Sequence, residues 1–595
     1  MSFPDLRSFL EQLKRDGDLA IVDAPVDAHL EAAEIHRRVI AAGGPALMFT
    51  RVRGADFPLV TNLFGTARRA ELAFGKRPFR LIRRLVQLAE TVLPPTPSSL
   101  WGARDVAREL LRVGMREVRR GPVTEVTGPP RLDRLPVLTC WPEDGGPFIT
   151  LPLVYTRHPE RPGHNLGMYR LQVHDPRTTG MHWQIGKGGG FHYAVAEARG
   201  EALPVTVFLG GPPALILAAV APLPENVPEL LLASLIAGER LRVIRDGGPH
   251  PLIADAEFAL TGHVPPRERR PEGPFGDHYG YYSLRHDYPV FRVERMAHRC
   301  DAIYPATVVG KPRQEDFYIG DLLQELLSPL FPLVMPAVES LWSYGETGYH
   351  SLAAAVVRQR YEREAMASAF RILGEGQLSL TKFLLVTDQP VDLRDFKATL
   401  EHILARTRPE TDLYVFSNLS MDTLDYTGPE VNKGSKGVWL GLGDPIRDLP
   451  REFRGTPSGV GEVIVFAGGC LVVGAPAWDA EPEAARRIAA DPAFRDWPLI
   501  VLTDEPRRAA KSAMNFLWTT FTRFEPARDI HAAEVAVRRN HLCYTAPIVI
   551  DARLKPGFPA ELFCAREIAD RVTARWREYF PSGVEMGDSD SAHLD

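Results

Sequence analysis

Two carboxylates, Glu272 and Asp277, stand five residues apart in Arg270-Pro-Glu-Gly-Pro-Phe-Gly-Asp-His-Tyr-Gly-Tyr-Tyr282, a segment too rich in glycine and proline for a helix. Pro274 fixes one φ angle, Gly273 and Gly276 permit close backbone approach, and Phe275, Tyr279, Tyr281 and Tyr282 supply apolar cover. Carboxyl groups in an apolar cleft can separate in pKa, one staying ionised while the other holds a proton, which is what general acid and base chemistry uses. A solvated surface turn would use the same residues, and the loop alone does not choose between the two readings.

Other segments carry groups of related use. In His164-Asn-Leu-Gly-Met-Tyr-Arg-Leu-Gln172 a strand alternation puts Asn165, Gly167 and Tyr169 on one face and Met168, Arg170 and Gln172 on the other, so Asn165 and Arg170 diverge unless the chain turns. Met181-His-Trp-Gln-Ile-Gly-Lys-Gly-Gly-Gly-Phe-His-Tyr193 reads as a strand followed by a glycine loop with one cation, Lys187, able to cradle a phosphate or to be a plain hairpin. It has neither the G-x-G-x-x-G nor the P-loop order. Glu229 opens an apolar helix, where complementing the helix dipole is its simplest role. Asn432-Lys-Gly-Ser-Lys-Gly437 reads as another glycine loop, suited to phosphate or to solvent. No H-E-x-x-H, paired C-x-x-C or G-x-S-x-G occurs, so zinc-protease, zinc-ribbon and ordinary serine-hydrolase chemistry lacks support.

These segments sit in a chain of 595 residues, for which a length prior gives roughly four domains. Hydrophobic content of 45% and charged content of 24% match folded soluble proteins. A net charge of −5 offers no basic field for nucleic acid and no lipid-binding polybasic stretch, which leaves small ligands and at most peripheral membrane contact. Five scattered cysteines and a charged N-terminal segment point to a reducing, cytoplasmic location.

Helical stripes are predicted over Leu6 to Lys14 and Ala32 to Ile40, then strands to Leu63 and an Arg-rich helical connector from Phe79 to Glu117. Short strands at 153–155, 205–209, 258–260 and 290–293 predict a barrel-like sheet with the helix Pro228 to Ala237 inserted, capped by Asn226 or Val227. Helices at 319–327 and 353–371 alternate with strands at 383–386, 412–416 and 461–466, an α/β pattern. A strand at 499–502 and a helix at 509–522 follow, and the acidic tail from Pro581 reads as loose, with no internal repeat in evidence. The expected domains are 1–120, 121–315, 316–480 and a C-terminal extension, 481–595.

Together these residues resemble the UbiD-like decarboxylases, which act reversibly on aromatic and α,β-unsaturated acids with prenylated FMN. The resemblance rests on Asp5-Leu-Arg7, Gly43-Gly-Pro-Ala-Leu47, Asn62-Leu-Phe-Gly65, Cys140-Trp-Pro-Glu-Asp-Gly-Gly-Pro147, Asn165 to Arg170, Glu272 to Asp277 and Asp301-Ala-Ile-Tyr304. It implies an α/β multidomain fold: a small N-terminal α/β domain, a central split β-barrel that binds flavin, and a C-terminal α/β domain for oligomerisation as a dimer or hexamer. It further implies Arg170, Glu272 and Asp277 as the catalytic trio, with Asp277 as proton donor. Met168, Tyr169, Arg170, His182, Trp183, Gln184, Lys187, Gly188 and Lys436 would lie on prenylated FMN.

Asn165 and Glu229 match two ligands of the family's divalent metal, usually Mn²⁺, with a potassium ion as a further candidate. Where the family has histidine as the third ligand this chain has Gly186, so that water, the flavin phosphate or nearby His192 would complete the shell, or the metal is bound differently. A flavin prenyltransferase would supply the cofactor. The Asn515-Phe-Leu-Trp518 and Ile548-Val-Ile-Asp-Ala-Arg553 segments resemble longer members linked to ubiquinone or menaquinone synthesis, which act on prenylated hydroxybenzoates or naphthoates. Losing CO₂ from an sp² carbon leaves a carbanion that no side chain delocalises, so a cofactor must serve as electron sink. The competing readings are an FMN-dependent reductase on a related split barrel, which needs neither acid, and a non-catalytic assembly subunit.

Overall fold

A computed structural model describes residues 3–91, 104–183, 188–223, 228–311 and 313–588. The chain forms two compact units, one of Met1–Leu326 with Glu561–Ala592 and one built on Leu327–Ala560.

In the first unit, Leu6–Arg15 is helical because Leu6, Phe9, Leu10 and Leu13 fall on one buried stripe and the Asp5 carboxylate caps its start by accepting from Ser8 N–H. This helix and Glu31–Ala41 flank a four-stranded sheet ordered Leu19–Val22, Ala46–Phe49, Leu59–Thr61, Tyr304–Pro305. Next comes a ten-stranded antiparallel sheet curled into a half-barrel, in which Leu203–Leu209, Phe258–Val264 and the long strand His286–His298 run side by side. Arg269–Glu272 pairs along His286–His298 and delivers Glu272 to the inner end of the acid loop. The last helix, Arg566–Tyr579, returns to this unit and packs on Glu31–Ala41 through Ile568, Val572, Trp576 and Tyr579.

The second unit corrects the expectation of no repeat. Its two five-stranded sheets have one topology: Val338–Ser343, Leu352–Val357, Phe383–Thr387, Lys433–Gly441, Leu413–Ser420 in the first, and Val463–Ala467, Cys470–Gly474, Leu499–Thr503, His541–Asp551, Ile530–Arg538 in the second. Both read antiparallel, parallel, parallel, antiparallel across the sheet. The faint sequence trace is Leu385-Val-Thr-Asp-Gln-Pro390 against Val501-Leu-Thr-Asp-Glu-Pro506, and the short Pro-x-x-Asp turns Pro409–Asp412 and Pro526–Asp529. Apolar residues of both sheets close over one core, where Phe466 and Phe516 stack with centroids 3.8 Å apart.

Four local expectations also change. Leu352–Val357 is a strand rather than part of a helix, because a strand buried on both faces shows an unbroken apolar run with no alternation. Lys433–Gly441 is a strand rather than a glycine loop. Gly188–Ala198 is a helix whose first turn is the glycine cluster, in place of a hairpin. Of the tail expected to be loose, 581–588 is tied back, with Trp576 Nε1 donating to the Val584 carbonyl at 2.8 Å and Gly587 N–H to the Arg38 carbonyl at 3.0 Å.

Candidate active site

The strand His164–Gly167 ends before Met168, and the break turns Arg170 into the curled sheet, toward the acid loop. Its guanidinium gathers both acids: Nε donates to Glu272 Oε1 at 3.0 Å, one Nη to Asp277 Oδ2, and the other to Ser283 Oγ at 3.3 Å. It also lies 4.6 Å from the centroid of the Phe275 ring. Glu272 and Asp277 are 1% and 5% exposed, which removes the solvated-turn reading.

A backbone frame holds the loop. Gly276 N–H donates to Asp144 Oδ1 at 2.8 Å, Gly273 N–H to Gln172 Oε1 at 2.9 Å and Phe275 N–H to Ser283 Oγ at 3.2 Å. Gly276 must be glycine, because a Cβ there would stand 2.0 Å from Trp141 Cδ1. Asp144 also accepts from Cys140 and Trp141 N–H groups, both at 2.9 Å, and burial still pushes its carboxyl up to about 6. Sequence reasoning gave Asp144, Gln172 and Ser283 no role. Gln172 alone had a usable signal, since it shares a strand face with Arg170.

Burial raises both carboxyls, yet charge pairing outweighs it at each. Arg170, His278 and His182 hold Asp277 below the usual carboxylate range, and His182 and Arg170 do the same for Glu272. His182 Nδ1 is 2.7 Å from Glu272 Oε1, and His278 Nδ1 is 2.6 Å from Asp277 Oδ1. His278, adjacent to Asp277 in sequence, is a partner that the reading by motif passed over.

Of the cofactor candidates, Met168 and Tyr169 immediately precede Arg170 in the chain and His182 meets Glu272. Asn165 Nδ2 and Gly189 N–H both donate to Tyr169 Oη at 3.3 Å, and Trp183 and Tyr193 rings lie 4.9 Å apart. A Cβ on Gly188 would come within 2.3 Å of Asn165 Oδ1, and one on Gly189 within 2.7 Å of Trp183 Nε1. Met168 is half-buried where the strand ends. Buried His182 Nε2, Trp183 Nε1 and Glu272 Oε2 have no hydrogen-bond partner among the described residues. Unmet polar atoms beside an aromatic wall and a glycine-lined helix N-terminus fit a planar, polar, phosphate-bearing group. Gln184, Lys187 and Gly186 lie outside the described residues, as do Asn226 and Val227. Pro228 stands at the N-cap of the helix Glu229–Ala237, with no side-chain hydrogen bond.

Around the proposed metal ligands, Leu166 N–H donates to Glu229 Oε2 at 3.1 Å, placing that carboxylate beside Asn165. His192 Nδ1 is 2.9 Å from Thr156 Oγ1, and Thr156 is the cross-strand partner of Asn165. Burial raises Glu229 to about 6 and lowers His192 to about 4, so the imidazole is neutral and able to ligate. Two oxygen donors and one imidazole suit a hard divalent cation. Lys436 is in the second unit, its ammonium donating to the carbonyls of Ser379 at 2.8 Å and Thr381 at 2.7 Å, with burial lowering it to about 8.

Family models of the 3-octaprenyl-4-hydroxybenzoate carboxy-lyases (UbiD) match in three parts: the N-terminal domain over 10–89, the Rift-related domain over 116–312 and the C-terminal domain over 317–441. A Chlamydia pneumoniae protein, named as one of the subunits of 4-hydroxybenzoate decarboxylase, is 51% identical over 586 residues, 98% of this chain and 99% of that one. Vanillic acid decarboxylase of Sedimentibacter hydroxybenzoicus, in closed form, superposes with a TM-score of 0.66 at 25% identity, covering 77% of this chain and 97% of its own. The fold is shared too with the UbiD-class enzyme HmfF of Pelotomaculum thermopropionicum in complex with FMN, at a TM-score of 0.61 and 23% identity, over 76% of this chain and 98% of that one. The chain belongs to the UbiD family and is a carboxy-lyase.

Proposed function

We propose that the chain is a reversible, non-oxidative decarboxylase of an aromatic acid that works with prenylated FMN and a divalent cation, Mn²⁺ by preference. The observation that carries this is Arg170 spanning buried Glu272 and Asp277, next to atoms of His182, Trp183 and Glu272 that have no partner among the described residues. Tyr169, His182, Trp183 and the Gly188–Ala198 helix N-terminus would hold the flavin, and Asn165, Glu229 and His192 the metal beside its phosphate. Bound there, the cofactor supplies an electron-accepting iminium for the electrons left when CO₂ departs.

The chain's own residues then handle charge and protons. A substrate carboxylate competes with Asp277 for Arg170, because both are anions seeking one guanidinium. Released from Arg170, buried Asp277 rises in pKa and takes up a proton, with His278 as the adjacent donor. Asp277 delivers that proton to the carbon that has lost CO₂, while Glu272, held by His182, keeps Arg170 in place. Phe275 and the buried tyrosines exclude water from the proton in transit.

A prenylated hydroxybenzoate or naphthoate of quinone synthesis is the substrate we favour, on the likeness of the long C-terminal region to members of that kind. The protein works as a homo-oligomer, a dimer or hexamer, in the cytoplasm, with a flavin prenyltransferase supplying the cofactor. The test is co-expression with such a prenyltransferase, followed by the mass and absorbance of bound flavin and CO₂ release from 4-hydroxybenzoate and its prenylated analogues. Prenylated flavin with CO₂ release is expected. Plain FMN with NAD(P)H oxidation would replace the proposal by a reductase, and metal-replete protein that binds no flavin by an assembly role.

A further inference from the structure

The strand Ile530–Arg538 is the outer strand of the second repeated sheet, and among the described residues it pairs only with His541–Asp551. Its distal half is bare: Val535 is 46% exposed and Val537 67%, and Leu542 across the hairpin is 37% exposed. An edge with exposed valines and unpaired backbone groups invites another strand, and the register irregularity of this strand, between Ala532 and Glu534, lies before this end, which holds no proline.

The hairpin turn fixes which backbone groups face outward. Arg539 and Asn540 both have left-handed φ angles, 51° and 62°, the two-residue turn that closes on a hydrogen-bonded pair, here Arg538 and His541. Alternation then points the N–H and C=O of Arg538, Ala536 and Glu534 toward His541–Asp551 and those of Val537 and Val535 outward.

The sequence Glu534-Val-Ala-Val-Arg538 is complementary to itself when reversed. Antiparallel pairing about Ala536 sets Glu534 against Arg538 twice, Val535 against Val537 twice and Ala536 against its own copy. Opposed residues share a face, so the ion pairs fall on one side of the ribbon and the valines on the other. The same register makes Val535 and Val537 the hydrogen-bonded pairs and Ala536 the non-bonded pair on the axis, which agrees with the outward groups set by the turn.

We propose that the Glu534–Arg538 half of this strand pairs antiparallel with the same segment of a second copy of this chain about a twofold axis at Ala536, joining two five-stranded sheets into one of ten. This names a contact surface for the homo-oligomer proposed above and is independent of the active-site reading.

Sedimentation velocity on the full chain tests it. Arg538→Glu alone or Glu534→Arg alone opposes like charges and should halve the assembly mass, while the double exchange Glu534→Arg/Arg538→Glu should restore it. Val537→Pro, which removes only an outward N–H and is tolerated on an edge strand, should also halve the mass. In a Cys543→Ser background, Ala536→Cys should oxidise to a disulfide-linked dimer, since non-bonded antiparallel pairs bring Cα atoms to about 4.5 Å. Ala533→Cys should not. An assembly whose mass is unchanged by the single charge reversals and by Val537→Pro overturns the contact while leaving self-association by another face intact. A wild-type chain that is monomeric at all concentrations overturns both.

Discussion

Arg170 is the residue on which the site turns, since its guanidinium holds Glu272, Asp277 and Ser283 together. If Asp277 is the proton donor, Asp277→Asn should cost on the order of 10²- to 10⁴-fold in turnover while flavin content stays at the wild-type level, because the amide cannot deliver a proton. Full CO₂ release by flavin-loaded Asp277→Asn would remove Asp277 from that role. Asp144 makes a separate prediction about stability. Its folded pKa, about 6, lies above the ordinary carboxylate value, so the folded state binds the extra proton and the group's stabilising contribution falls as pH rises from about 4 to about 6. The melting-temperature advantage of wild type over Asp144→Asn should therefore shrink across that window. An advantage that grows with pH would mean that the three backbone N–H donors outweigh burial.

At the scale of elements, the Gly188–Ala198 helix and the strand His164–Gly167 come so close that Gly188 has no space for a side chain. Gly188→Ala should push Asn165 aside and lower the flavin and metal retained through purification, with little change in melting temperature. Retention at the wild-type level would show that Asn165 is not part of the cofactor shell. Legibility in the sequence followed the physics of each element. Leu6–Arg15 and the acid loop were readable because one-sided burial leaves a helical stripe and a tight turn leaves glycine and proline. Leu352–Val357 was not, since burial on both faces erases the period that separates strand from helix. Glu272 and Asp277 could be singled out by type and spacing. Asp144 and Ser283 could not, because they act on backbone N–H groups that carry no residue signature.

At the scale of the molecule, the region beyond the family's C-terminal model is a second copy of that model's sheet followed by a return into the first unit. The repeat escaped sequence reading because a shared topology needs only matching apolar runs and turns, and little beyond two T-D-x-P segments survives as identity. The return helix has a definite physical task. Trp576 packs against the Glu31–Ala41 helix with its Nε1 donating to the Val584 carbonyl, while Arg575 and Tyr579 reach buried Glu31 and Arg38 donates to the Ala569 carbonyl at 3.0 Å. Removing a buried tryptophan side chain costs about 3–5 kcal/mol, a large part of the roughly 5–15 kcal/mol that holds a domain folded. Trp576→Ala should therefore speed amide hydrogen exchange in Glu31–Ala41 and Leu6–Arg15, read by mass spectrometry, and leave Leu499–Thr503 at wild-type protection because that strand belongs to the other unit. Unchanged exchange in Glu31–Ala41 would show that the N-terminal helices stand without the return helix. Equal loosening of Leu499–Thr503 would show that the two units unfold as one.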